Sequence, residues 1–504
     1  MKKHLQKLFA VLMLFIGTLS AHAEAYVLWC EGNTTLYFLS SNETLKVGDK
    51  HDGQTITNLW KGTDVTETSS FVNPGWWLEV YQSLTTVRFE ESFKNVKPTC
   101  CYSWFRGCSL LKNIYGLSEG YLDTSEVTNM GWMFNYCWEL TSLDVSKFNT
   151  SNVIDMGFMF AECRKLATLD VSHFDTSNVT YMSNMFLGCI ELTALDVSHF
   201  DTSNVTDMNG MFSNCIGLTS LDVSHFNTSK VTTMAYMFTG CTFLQALDVS
   251  HFVTSNVTSM EYMFDYCQAL TSLDLSSFET GNVTNMELMF RGCKLLTTLT
   301  FDVNKFDTRN VTKMYLMFGD CQHLTSLDVS HFNTSKVIDM QGMFSNCQHL
   351  TTLDVSHFNT SEVIEMNNLF TSCANLTTLD LSSFNTSKVE GMGNMFAGCW
   401  DLVSIYVSDG WDVSNVKYSD LMFSNCEDII GEDGTTYDAS ATDKSKAHYG
   451  TGGYLRYKKP AGIIDVNADV NLTDNRYYTI DGRRVEQPTQ QGVYIVNGRK
   501  VVVK

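Results

Sequence analysis

Twelve cysteines recur along the chain at a nearly fixed step, and that period constrains the architecture more than any other feature. They stand at positions 137, 163, 189, 215, 241, 267, 293, 321, 347, 373, 399 and 426, always 26 residues apart except for one interval of 28 and a last one of 27. Around each lies the pattern C-x-x-L-x-x-L-D-V-S-x-F-D/N-T-S-x-V-x-x-M-x-x-M-F-x-x, seen cleanly in residues 163–188. A weaker leading copy, Trp104-Phe105-Arg106-Gly107-Cys108, brings the array to about thirteen units. A unit this short cannot bury its own flat faces, whereas a stack of them can. No proline falls between Pro98 and Pro460 to interrupt such a stack.

Within a unit, Leu169 and Val171 alternate with Asp170 and Ser172, which predicts a short strand with leucine and valine inward. The following D/N-T-S step is turn chemistry. Val179, Met182, Met185, Phe186, Cys189 and Leu192 then recur about every three residues, the spacing of a tight helical or 3₁₀-like return. Stacked strands of this kind predict a parallel sheet along one side. Two extra residues within 299–306 and one within 405–411 are expected to bulge as loops.

The repeat resembles that of the BspA-like leucine-rich-repeat surface proteins, in the branch carrying LDVSxFDTSxVxxMxxMFxxC, from about Leu84 to Cys426. Residues 431–457 are similar to the segment that closes such arrays. The resemblance implies a leucine-rich-repeat-like, right-handed β-solenoid, surface exposure, adhesion-type binding to host or neighbouring-cell proteins, and no catalysis.

The flanks differ in character. Lys2, Lys3 and Lys7, the apolar run 8–19 and Ala21-His22-Ala23 read as a signal peptide over residues 1–23. Its removal leaves 31 basic residues against 55 acidic ones, a net of −24, which disfavours nucleic acid or anionic membrane and permits basic protein surfaces or divalent cations. Residues 24–83 lack the repeat and carry Trp29, Trp60, Trp76, Trp77 and Tyr81. A β-rich cap is expected there, with a carbohydrate platform as the competing use of the aromatics. After the repeats at 84–426 come a closing cap at 427–459 and a tail at 460–504. The tail has short β-type runs separated by Asp-Gly and Asn-Gly turns. Its ending looks like the C-terminal sorting tails of Bacteroidetes proteins and implies export to the outer membrane or beyond; a plain β-hairpin module is the alternative.

Among candidate chemistries, the stacked cysteines read as a buried thiol column, since no histidine or second cysteine stands at zinc-like spacing within a unit. Cys30, Cys100, Cys101 and Cys108 lie outside the column, and one disulfide among them suits an exported chain. Methionine pairs such as Met156/Met159 and Met208/Met211 suggest copper only until Leu369 replaces one, which marks them as core. His173, His199, His225, His251, His331 and His357 share a slot with Lys147, Ser277, Lys305 and Ser383, so a solvated position is expected.

The aspartate of L-D-V-S is the better lead. It recurs as Asp144, Asp170, Asp196, Asp222, Asp248, Asp274, Asp302, Asp328, Asp354 and Asp380, and gives way to Tyr406 in the last unit. Like charges ~5 Å apart repel by ~0.8 kcal/mol even in water, so the column needs a reason. Hydrogen bonds from serine and threonine hydroxyls, an acidic recognition face, and calcium bridging the carboxylates all supply one. No phosphate loop, H-E-x-x-H motif or nucleophile elbow is present, and the Ser, His and Asp residues are multiplied rather than unique. A non-catalytic, exported interaction protein is therefore expected, with glycan binding by the aromatic N-terminal region as the alternative.

Overall fold

The computed structural model describes residues 23–32, 34–67 and 72–458, together with the backbone of five short strands within 464–503. The expected signal peptide lies outside the described residues, as does most of the tail. The chain divides after Phe278 into two compact units, residues 1–278 and 279–504.

The first unit opens with a six-stranded sheet built from β1 (Glu24–Cys30), β2 (Thr35–Ser41), β3 (Lys50–His51), β4 (Gln54–Lys61), β5 (Thr86–Phe89) and β6 (Asn113–Tyr115), in the order β3-β4-β1-β2-β5-β6. Strands β1, β2 and β4 pair antiparallel; β2, β5 and β6 pair parallel, and so begin the repeat direction. Tyr26, Leu28, Cys30, Tyr37, Leu39 and Ile56 form a core on one face. On the other, Phe38 packs on Trp76, Phe89, Phe93, Trp104 and Phe105. Trp76 is fully buried and its Nε1–H donates to the Trp104 carbonyl. Trp77 stacks on Tyr81 at 4.6 Å. Trp29 and Trp60 are half-buried. Of Trp29, Trp60, Trp76 and Trp77, Trp76 alone is fully buried, and the other three keep part of their surface exposed.

The repeats follow, and their hydrogen bonding differs from the expected sheet. The return, not the L-D-V-S segment, carries the inter-unit ladder. From Met156 to Cys163 every N–H is accounted for: Met156, Phe158, Phe160 and Glu162 donate to Tyr181, Ser183, Met185 and Leu187 of the next unit. Met159, Ala161 and Cys163 donate back three residues, and Asp155 Oδ1 takes the Gly157 N–H. Phe158 and Glu162 sit at φ 57° and 61°, the third positions of successive type II-like turns. The expected helical return is therefore a run of turns. Glycine takes the second of these positions at Gly188 and the first at Gly210.

The L-D-V-S segments form regular strands only at β7 (Ser272–Leu275), β8 (Thr298–Phe301), β9 (Thr378–Asp380) and β10 (Ser404–Val407). In the regular strands β7 and β9 as in the other segments, Asp Oδ1 captures the N–H of the serine two residues on, as Asp274 does from Ser276 at 2.9 Å and Asp170 from Ser172 at 3.0 Å, so this bond closes the segment without deciding whether it pairs. Where Tyr406 replaces the aspartate, β10 pairs parallel with β9.

Side-chain columns hold the units together. Phenylalanines stack at 5.7–5.9 Å from Phe105 to Phe264 in the first unit and at 5.4–5.9 Å from Phe290 to Phe423 in the second. The threonine of D/N-T-S, read from sequence as part of a turn, reaches across instead: buried Thr202 donates Oγ1–H to the Asn227 carbonyl (3.0 Å) and accepts the Asn227 N–H (2.7 Å). In the second unit β11 (Arg456–Tyr457) pairs with β10, and Tyr454 packs edge-on against Phe423. Strands β12 (Ile464–Asp465), β13 (Tyr477–Thr479), β14 (Arg484–Val485), β15 (Gly492–Val496) and β16 (Arg499–Val503) form a sheet in the order β12-β16-β15-β13-β14.

Candidate functional site

The aspartate column lines open grooves. In the first unit a shallow depression of about 830 Å³ is bordered by Asp144, Asp170, Asp196 and Asp222, with Leu143 and Leu169 behind them. In the second unit a smaller one of about 480 Å³ holds Asp328, Asp354 and Asp380.

Each carboxylate is held by its own unit. Asp144, Asp170, Asp196, Asp222, Asp248, Asp274, Asp328, Asp354 and Asp380 accept the backbone N–H of the serine two residues on at 2.9–3.1 Å. Ser198 and Ser356 add their hydroxyls to Asp196 and Asp354 at 2.7 Å. The hydrogen bonds expected from neighbouring hydroxyls thus come from within the unit. The serine two residues on, through its side chain first and then its backbone N–H, holds the acids at Asp144, Asp170, Asp196, Asp222, Asp248, Asp328 and Asp354 below the usual carboxylate range. Among the described residues, Oδ2 of the four aspartates in the larger groove has no protein partner.

Two members depart from the column. In β8 the place after the strand leucine belongs to Thr300; Asp302 lies beyond the strand, in the two-residue insertion, half-buried and bonded to the Asn304 N–H. Sequence alignment by motif had set Asp302 in register because the insertion itself supplies a D-V. Asp380 is half-buried, and Lys458 Nζ pairs with its Oδ2. Its partial burial pushes the acid up, but the hydrogen bonds from Lys458 and Ser382 outweigh this.

The histidine slot is less idle than expected. His173, His199, His251 and His357 place Nε2 at 2.7–3.0 Å from the carbonyl of the valine one unit back, and Ser277 and Ser383 reach the same carbonyls with their hydroxyls. His331 follows the insertion, meets the Phe301 ring at 5.7 Å, and has neither ring nitrogen bonded.

All sixteen cysteines are free and buried, including Cys30, Cys100, Cys101 and Cys108. Ladder thiols point Sγ at the phenylalanine carbonyl one unit back, as Cys215 does to Phe186 at 3.2 Å. Burial pushes these thiols up, to about 12 at Cys189 and Cys241, so they stay protonated. Among the described residues no three His, Cys, Asp or Glu side chains converge to hold a metal, and no helix is long and apolar enough to cross a membrane.

A family model described as "Mycoplasma protein of unknown function, DUF285" matches residues 99–216, 187–300, 267–353 and 343–451, most of the chain. The chain belongs to this family. The BspA-like character read from the motif holds with it. Solved structures similar to the chain include a leucine-rich repeat protein from Bacteroides ovatus (14% identity, 78% of this chain and 97% of that one, TM-score 0.41). A leucine-rich cell surface protein from Faecalibacterium prausnitzii is similar at 17% identity (80% and 91%, TM-score 0.34), and a leucine-rich repeat protein from Eubacterium ventriosum at 15% (86% and 91%, TM-score 0.34). No curated protein matches the chain by sequence.

Proposed function

We propose that this DUF285 protein is an exported, non-catalytic interaction protein of the cell surface that winds right-handed, as its BspA-like resemblance implies, and grips extracellular or cell-surface proteins along its aspartate grooves. One observation carries this reading: a row of exposed carboxylates, each pinned through Oδ1 by its own serine N–H and left with Oδ2 toward no protein partner. Fixed carboxylates lose little freedom when a partner arrives. Lys458 seated on Asp380 supports a partner bearing basic side chains. The mature net charge of −24 likewise favours a basic partner and speeds its approach.

The test captures partners from host extracellular and bacterial surface fractions with the mature chain and with D170N/D196N/D222N. Asparagine keeps the oxygen that accepts the serine N–H, so the turns survive while the charge goes. Loss of capture, with salt sensitivity in the parent, supports the reading. Identical capture by the variant overturns it. A glycan array run with both chains addresses the alternative, glycan binding by the aromatic N-terminal region.

A further inference from the structure

The residues that follow the ladder cysteine vary freely, yet two adjacent units read alike: Cys321-Gln322-His323 and Cys347-Gln348-His349. Their imidazoles stack, with centroids 5.0 Å apart and planes 13° from parallel. Each ring is held twice by one carbonyl. His323 directs its backbone N–H (3.2 Å) and Nδ1 (2.8 Å) at the Lys294 oxygen; His349 directs the same pair (3.2 and 2.7 Å) at the Gln322 oxygen. A carbonyl only accepts, so in the neutral ring the proton sits on Nδ1 and Nε2 is left with its lone pair. Both side chains are exposed, and neither Nε2 has a protein partner among the described residues.

We propose that His323 and His349 form a surface site for one divalent transition cation of the zinc, nickel and copper class, bound by the two Nε2 atoms with water completing the shell. A carbonyl holding Nδ1–H and freeing Nε2 is the arrangement that orients ligating histidines. Metal–nitrogen bonds of ~2.1 Å ask the two nitrogens to approach within ~3.4 Å for a tetrahedral ion. The stacked rings, with centroids 5.0 Å apart, point their in-plane lone pairs side by side, so binding one ion tilts both rings toward each other, a movement of two exposed side chains that displaces no buried group. Among the described residues no third His, Cys, Asp or Glu converges there, so the site stays open to solvent or to a ligand from a partner, and copper binds more tightly than zinc. The histidines at 173, 199, 251 and 357 are built differently: Nε2 is tied to a valine carbonyl, and each ring meets the following phenylalanine edge-on rather than another imidazole. The inference is independent of the aspartate grooves.

The experiment titrates Cu²⁺ into the mature, tag-free chain, read by calorimetry and electron paramagnetic resonance. One site with splitting from two nitrogens is expected, weakening on acidification as protons compete for the same lone pairs. H323N and H349N each weaken it by ~10-fold or more, while H173N/H199N leaves it intact. Asparagine Nδ2 replaces the Nδ1 donor to the carbonyl, and an unchanged melting curve ties the loss to the missing ligand. Retention of the affinity and spectrum in H323N/H349N, or their loss in H173N/H199N, overturns the proposal.

Discussion

Replacing Thr202 tests the cross-unit threonine directly. Its side chain is 1% exposed and bonds both the carbonyl and the N–H of Asn227, acting as a peptide group inserted between units. Thr202→Val keeps the shape and removes both bonds. Each unsatisfied backbone group costs ~1–3 kcal/mol; Asn227 is exposed, and water relieves part of that, so the sum is ~2–4 kcal/mol. Thr202→Ser keeps both bonds and loses one methyl group, for ~1 kcal/mol. An account resting on hydrophobic burial alone predicts the reverse order, because valine is the more apolar side chain and the better strand former.

Thermal and urea unfolding of the full chain give the ranking, and native-state hydrogen exchange localises it, since stacked units open separately. The Asn227 amide exchanges at least ~10-fold faster in Thr202→Val than in Thr202→Ser, the rate equivalent of ~1.4 kcal/mol. A valine variant as stable as the serine variant refutes the clamp.

Other consequences follow from the same columns. Cys215→Ala removes one buried sulfur for ~1–2 kcal/mol, because the Phe186 carbonyl keeps the Cys189 N–H; denaturing urea titration measures it, and a loss above ~3 kcal/mol contradicts the filling role. Thiol reagent at pH 8 leaves the native ladder unlabelled, whereas the denatured, unreduced chain takes up sixteen equivalents by mass spectrometry. Burial raises the Asp339 acid, so in the parent chain this residue's contribution is full below the unfolded carboxylate range and falls as pH rises through the higher folded value. Asp339→Asn, which keeps the acceptor for the Gln341 N–H, therefore gains in melting temperature over the parent as pH rises from 4 to 8; a constant difference sinks this reasoning. Melting with and without a chelator tests calcium bridging of the carboxylates: a fall of several degrees supports it, and an unchanged melting temperature removes it.

What was legible in the sequence was position, and what was hidden was the partner of each hydrogen bond. Within the repeats, period 26 placed the recurring buried Leu, Val, Phe, Met and Cys, because apolar burial needs only the right face. The alternation in L-D-V-S put Asp170 outward correctly but suggested a strand ladder, whereas the inter-unit hydrogen bonds run through the return, where the apolar spacing carries no sign of them. Asp302 matched the motif by letter while the insertion shifted it out of register. The two C-Q-H steps carry no sequence sign of their stacking, because the residues after the cysteine vary from unit to unit. For threonine, a signal was present and went unread. The slot is threonine from Thr124 to Thr386 and becomes Val413 in the last unit, where no further repeat offers a carbonyl and N–H to clamp. A turn-making residue would be needed there as much as anywhere. A residue needed only for what comes next is free to change at the end of the array, and Val413 marks that end.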